Sequence, residues 1–159
     1  MIMEFNKDFL GKLFEQATMN PRLRQSFDLR TSANDNSQRM LNALLPGTVV
    51  PIHRHPNSTE DVFLLCGKLV EVIYEEVNPF LSPLKKGDTS TFDRGMDAMN
   101  VTNGRRFQEV ERIHLDPTVG SYGCVIPKGA WHTVEVLEPS VIYEAKDGKY
   151  GEDGSETFK

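Results

Sequence analysis

An all-β sandwich or barrel carrying a short N-terminal helix is the fold this sequence predicts, and three observations predict it. From Gln38 onward, short runs rich in Leu, Val, Ile and Tyr alternate with Gly and Pro punctuation. The stretch with an apolar stripe at helical spacing lies within the first twenty residues. At 159 residues, with nine Phe, four Tyr and one Trp, the chain is long enough for one hydrophobic core and too short for two ordinary domains.

Residues 1–37 read as that helix and a connecting segment. Asn6 is placed to cap the helix, Phe9, Leu10, Leu13, Phe14 and Ala17 share one face, and Asn20-Pro21 stops it. Such a stripe packs either on the domain's own core or on a partner subunit. The barrel is expected over 38–146, with strands at 38–45, 48–54, 61–66, 68–75, 105–114, 122–127, 131–137 and 140–146. Turns fall at Pro46-Gly47, Cys66-Gly67, Asp116-Pro117, Lys128-Gly129 and Glu138-Pro139, and Asn103-Gly104 is a hairpin signal. The weakly patterned residues 79–104 form a long loop excursion, which either covers a site or a subunit contact or is simply mobile. The polar, glycine-rich tail 147–159 is either a loose end or an arm.

The net charge of −5 and pI near 5.4 give no basic face for nucleic acid, so no nucleic-acid partner is expected. Lys85-Lys86 and Arg105-Arg106 read as solvated loop charges. Cys66 and Cys124 read as buried free thiols, which suits a reducing compartment. Met1–Phe5 lacks the basic start and apolar core of a signal peptide, and no apolar run reaches membrane-spanning length. The expectation is a cytoplasmic protein with no membrane partner.

The chemistry concentrates in Gly47-(five)-His53-Arg54-His55-(four)-Glu60-(six)-Gly67. Two histidines two apart on a strand project to the same face, so both imidazoles reach one ion, while Arg54 between them points outward. Pro56-Asn57-Ser58-Thr59 lets the chain reverse, bringing Glu60 beside the pair, and Gly67 permits a tight turn. Later, Pro127-Lys128-Gly129-Ala130-Trp131-His132 sets a third imidazole at the start of an alternating strand. Three imidazoles and a carboxylate suit one divalent ion among Zn, Ni, Fe(II), Mn and Co, with one or two positions left open. The competing reading makes His53 and His55 a surface pair; His114 reads as a surface residue and Trp131 as packing that walls the pocket.

The first stretch matches the first cupin motif, G-x5-H-x-H-x3/4-E-x6-G, at every fixed position. The second resembles the other cupin motif, G-x5-P-x-G-x2-H-x3-N, but Gly120 lies one residue too far from Pro127 and Val136 stands at the Asn position. The chain also resembles the WbuC-type cupin-fold metalloproteins. The phrases that carry this include Pro21-Arg22-Leu23-Arg24, Gln38–Leu44, His53-Arg54-His55-Pro56, Gly129–Thr133 and Glu144-Ala145-Lys146-Asp147-Gly148. It departs from them in the 79–104 excursion and in Ser26-Phe27-Asp28, where similar proteins tend to have asparagines. The resemblance implies a cupin double-stranded β-helix, a jelly-roll barrel of six to eight strands with metal near its centre. It further implies a homodimer and an association with surface-polysaccharide (O-antigen) biosynthesis.

If Pro46-Gly47 is a two-residue hairpin turn, Met40 falls opposite His53 and Gln38 opposite His55, so Gln38, Met40 and Asn42 line the pocket. Gln38 and Asn42 would then hydrogen-bond a ligand, or else support the barrel wall. The functional expectation is a metal-dependent isomerase or oxygenase acting on a sugar-like or hydroxy-carbonyl small molecule. The alternatives are a binding or sensing cupin without turnover and a structural jelly roll. No catalytic base is assigned; Tyr143, Glu135 and Glu144 are the candidates.

Overall fold

The computed structural model describes residues 2–77, 101–102 and 105–158. Most of the 79–104 excursion, with Lys85-Lys86, therefore lies outside the described residues. Helix α1 (Lys7–Met19) precedes strands β1 (Arg24–Asp28), β2 (Ser37–Leu44), β3 (His53–Arg54) and β4 (Glu60–Val77). Strands β5 (Val101–Thr102), β6 (Arg105–Leu115), β7 (Gly123–Ile126), β8 (Trp131–Asp147) and β9 (Glu156–Thr157) follow, with a 3-10 turn at Pro117–Val119. No helix among the described residues is long and apolar enough to cross a membrane.

The nine strands among the described residues join one curled sheet along β1-β2-β8-β4-β6-β5, with β7 on β4 and β9 on β3, which itself pairs with β8. The long antiparallel strands β4 and β8 build both walls. Their first pairing sets Glu60 against Lys146, Val62 against Glu144 and Leu64 against Ile142; their second sets Leu69 against Val136 and Ile73 against His132. Between the two, the register shifts around Cys66 and Lys68. Here Gly67 has φ +90°, and a Cβ on it would lie 2.2 Å from the Pro139 carbonyl oxygen. Only glycine lets the strands cross this closely.

Two pairs of expected strands are thus single bent strands: 61–66 and 68–75 merge in β4, and 131–137 and 140–146 merge in β8. Gly67 and Pro139 mark a corner rather than loops, because pairing continues on both sides. The expected strand 48–54 shrinks to His53–Arg54. The connecting segment supplies an unforeseen strand, β1, paired with β2 from Arg24↔Leu44 to Asp28↔Met40. Thr102 pairs with Arg105 across Asn103-Gly104, the register a two-residue hairpin requires.

The barrel interior grades from apolar to polar away from the Gly67 corner. Leu44, Val62, Leu64, Leu69, Leu115, Ile126 and Ile142 fill the corner end. Outside one wall, Leu13 and Ala17 of α1 pack on Leu41, Ala43 and Val141, flanked by Phe9, Leu10 and Phe14. Asn6 caps that helix by accepting from the Phe9 N–H at 3.1 Å. Burying Leu13 on the domain's own sheet stabilises it by about 2 kcal/mol. Outside the other wall, Ile52, Phe107 and Trp131 form a second cluster with Tyr74 and Phe158.

Candidate metal centre and its cavity

Four side chains meet at the polar end. His53, His55, Glu60 and His132 each offer one ligand atom, and these atoms all lie within 4.8 Å of one another. Each arrives for a local reason. His53 and His55 share a side of one extended segment, and Glu60 is the first inward residue of an alternating strand whose next inward residues are Val62 and Leu64. His132 is brought in by its pairing with His53.

The imidazoles are held in one orientation. His53 Nδ1 lies 3.0 Å from the Pro51 carbonyl, His132 Nδ1 3.0 Å from the Ala130 carbonyl, and His55 Nδ1 2.7 Å from Ser155 Oγ. A carbonyl only accepts, so Nδ1 carries the proton in His53 and His132, and Nε2 is left to coordinate. His132 Nε2 then sits 3.1 Å, and His55 Nε2 3.2 Å, from Glu60 Oε2. A neutral imidazole has one N–H, already used at Nδ1 in His132, so a second proton or a cation must lie between Nε2 and the carboxylate. The donor set therefore fits a divalent ion.

A built-in cation already approaches the set. Lys146 Nζ is 3.1 Å from His55 Nε2 and 3.5 Å from Glu60 Oε1. Burial pushes the Glu60 carboxyl up, but the His132 and His55 contacts and the Lys146 charge outweigh it and hold Glu60 well below the usual carboxylate range. Burial, with the neighbouring His132, pulls His53 down to about 4, which keeps its nitrogen free for a metal.

The tail completes the site. Strand β9 pairs with β3, the Phe158 N–H donates to the Ile52 carbonyl, and Gln38 Nε2 donates to Asp153 Oδ2 at 3.0 Å. Asp153 lies 3.9 Å from His55 Nδ1, beside Ser155. Gln38 is therefore buried but is not part of the cavity lining: it steadies the tail residue behind His55. The expected β2–β3 register is also overturned. The Pro46-Gly47 turn forms, yet β2 pairs with β8, setting Met40 opposite Glu144. The chain leaves β2 to cross to the other wall, so no hairpin follows the turn.

Above the quartet lies a cavity of about 300 Å³, into which Met40 and Asn42 both project. Glu71 and Glu144 line it too. Asn42 Nδ2 donates to Glu144 Oε2 at 2.5 Å. Burial and the Glu60 charge push Glu144 up to about 8, against smaller opposing effects of Lys146 and Asn42. Burial, then the charges of Glu144 and Glu60, raise Glu71 well above its ordinary value. In both, burial favours the neutral acid over the carboxylate. Of the other base candidates, Tyr143 packs against the helix cluster outside the barrel, and Glu135 is an exposed partner of Arg112. Trp131 also faces outward, with the Arg54 guanidinium 4.6 Å above its ring and Arg54 bonded to Glu156. It walls no pocket, because strand alternation puts it opposite in sense to His132. Cys66 and Cys124 are half-buried free thiols, and burial raises both, Cys124 to about 12.

Glu71 was missed from sequence, although a single carboxylate inside Leu69-Val70-Glu71-Val72-Ile73 is a signal of a buried acid. Lys146 lies in a phrase already noted for its resemblance. Asp153 and Ser155 carried no signal.

Residues 5–81, just under half of the chain, match a family described as a domain of unknown function, DUF6016. A germin-like protein of Morus alba is 35% identical over 63 residues, 39% of this chain and 30% of that protein. The auxin-binding protein ABP19b of Prunus persica is 35% identical over 60 residues, 37% of this chain and 29% of its own length. The alignments thus span less than a third of these relatives. The solved structure of Peruvianin-I, a cysteine peptidase from Thevetia peruviana latex, superposes with a TM-score of 0.51 at 13% identity, covering 85% of this chain and 66% of that one. The fold is cupin-like. Within it, the His/His/Glu/His group occupies the polar end of the barrel.

Proposed function

We propose that this cupin-fold chain binds one divalent metal ion through His53, His55, Glu60 and His132 and acts on a small hydroxy-carbonyl compound in the cavity above it. The observation that carries the reading is the shared orientation of the imidazoles. His53 and His132 commit Nδ1 to a carbonyl, His55 commits it to Ser155, and the free nitrogens converge on Glu60. A bound ion of this class supplies a Lewis acid with open positions.

The chain's own residues supply the rest. Asn42 occupies Glu144 Oε2, which leaves Oε1 to carry the proton of the neutral acid. Glu144 and Glu71 can therefore give a hydrogen bond or a proton to a ligand oxygen, the role a general acid plays. Sugar-like compounds of surface-polysaccharide assembly, which the WbuC-type resemblance implies, are one source of such ligands. The manganese, iron, nickel, cobalt and zinc ions are all compatible with the nitrogen and oxygen donors.

Elemental analysis of the protein purified without chelators tests the metal, with one ion per chain expected and none in a variant carrying alanine at all four positions. Equal metal uptake by that variant and the wild type overturns the reading. Thermal-shift screening of the loaded protein with sugars and oxo acids, followed by product analysis of each hit, separates turnover from binding alone.

A further inference from the structure

We infer that the cavity is built for an acid: Arg24, seconded by Arg22, seats the carboxylate of a small hydroxy or oxo acid whose other oxygen reaches the metal position. This deepens the proposed function and rests on its metal site. Arg24 opens β1, and its register partner is Leu44, as Ser26 is that of Asn42. Leu44 and Asn42 line the cavity, and by strand alternation Arg24 and Ser26 share their side; both belong to the lining, as does Arg22.

Arg24 is half-buried, yet its guanidinium has no hydrogen bond or ion pair among the described residues. Burial and the like charge of Arg22 both lower its pKa, with Glu144 opposing more weakly. Two guanidiniums near enough to repel, one of them partly desolvated and unpaired, form an arrangement that an anion relieves. The cavity's own carboxyls do not relieve it. Glu60 is committed to the imidazoles and Lys146, and burial favours the neutral form of Glu71 and Glu144.

Glu71 is the second, independent observation. It is 97% buried, given its 3% exposure, and lines the cavity with no hydrogen-bond partner among the described residues. In the neutral form that burial favours, this carboxyl is an unused donor, and buried donors are normally satisfied. A ligand that satisfies every group at once needs a carboxylate for Arg24 and a hydroxyl or carbonyl oxygen for Glu71 and the metal position. A volume near 300 Å³ equals roughly ten waters, room for an acid of a few carbons. A neutral sugar leaves Arg24 unpaired, and a phosphate dianion sets its second charge against the ionised Glu60.

The test is calorimetry on full-length, manganese-loaded protein with glycolate, lactate, pyruvate and malate, each against its neutral amide where one exists, and with glycerol phosphate. We expect at least one acid to bind about tenfold or more tighter than its amide. Arg24→Gln should abolish that preference with metal content unchanged, and Arg24→Lys should keep part of it. Equal binding of acid and amide, no acid bound at millimolar concentration, tighter binding of glycerol phosphate than of any acid, or an intact preference in Arg24→Gln overturns the inference. Metal content is read separately. A chain that takes up no metal sinks the proposed function, while the acid-over-amide preference, measured on the same sample, still decides the role of Arg24.

Discussion

The two halves of the site are built on opposite terms. In the quartet the outer nitrogens are committed: three imidazole Nδ1 atoms have acceptors or a hydroxyl, and the inner nitrogens and Glu60 face one another. Above it, Arg24 and Glu71 have no hydrogen-bond partner among the described residues, and Glu144 has only Asn42. The quartet draws on both walls, Glu60 from one pairing of β4 and β8 and His132 from the other; in the lining Arg24, Asn42 and Glu144 share the first wall and Glu71 comes from the second. A cluster fixed from behind in this way is a frame suited to one cation. An unpartnered lining is a surface whose complement comes from outside.

The largest effect should come from the corner that holds the walls in register. Gly67→Ala would press a Cβ into the Pro139 carbonyl, and a loss of about 3 kcal/mol or more in urea unfolding is expected. Metal uptake should fall with it, because donors from the two walls lose their alignment. An unchanged midpoint would mean that the corner is not the joint between the halves.

Next is the tail behind His55. Ser155→Ala removes the 2.7 Å contact to Nδ1 and should weaken metal binding about tenfold, as second partners of metal-bound histidines commonly do. A competition titration against a chelator reads this, and it should leave ligand preference in the cavity alone. Lys146→Met takes a positive charge away from the quartet, so metal affinity in the same titration should rise, roughly fivefold. A fall instead would make Lys146 a support of the site rather than a rival of the metal.

The smallest effect sharpens the other half. Glu144 holds its proton in the folded chain up to about pH 8, against an ordinary value of 4.5. Between those values the folded state binds more protons than the unfolded one, so this group's contribution to stability falls as pH rises. In chelated protein, Glu144→Gln should therefore flatten the decline of melting temperature from pH 5 to 8, raising it most at pH 8. An identical slope in both proteins would place Glu144 in water.

The sequence carried the local half of this account. His53 and His55 lie two apart on an extended segment, Glu60 begins an alternating run, and Asn6 with the stripe to Ala17 makes the helix; each rests on a period within a few residues. It erred where two distant segments choose each other. Met40 was counted opposite His53 from the Pro46-Gly47 turn, yet it lies opposite Glu144 because β2 adds to β8.

Lys146 beside the quartet, Ser155 and Asp153 behind His55, and Arg24, Glu71 and Glu144 around one cavity come from strands far apart in the chain. Spacing reports which residues share a face of one strand. Which strands then face each other, and at what register, depends on burying both walls at once, and that balance exists only in the folded barrel.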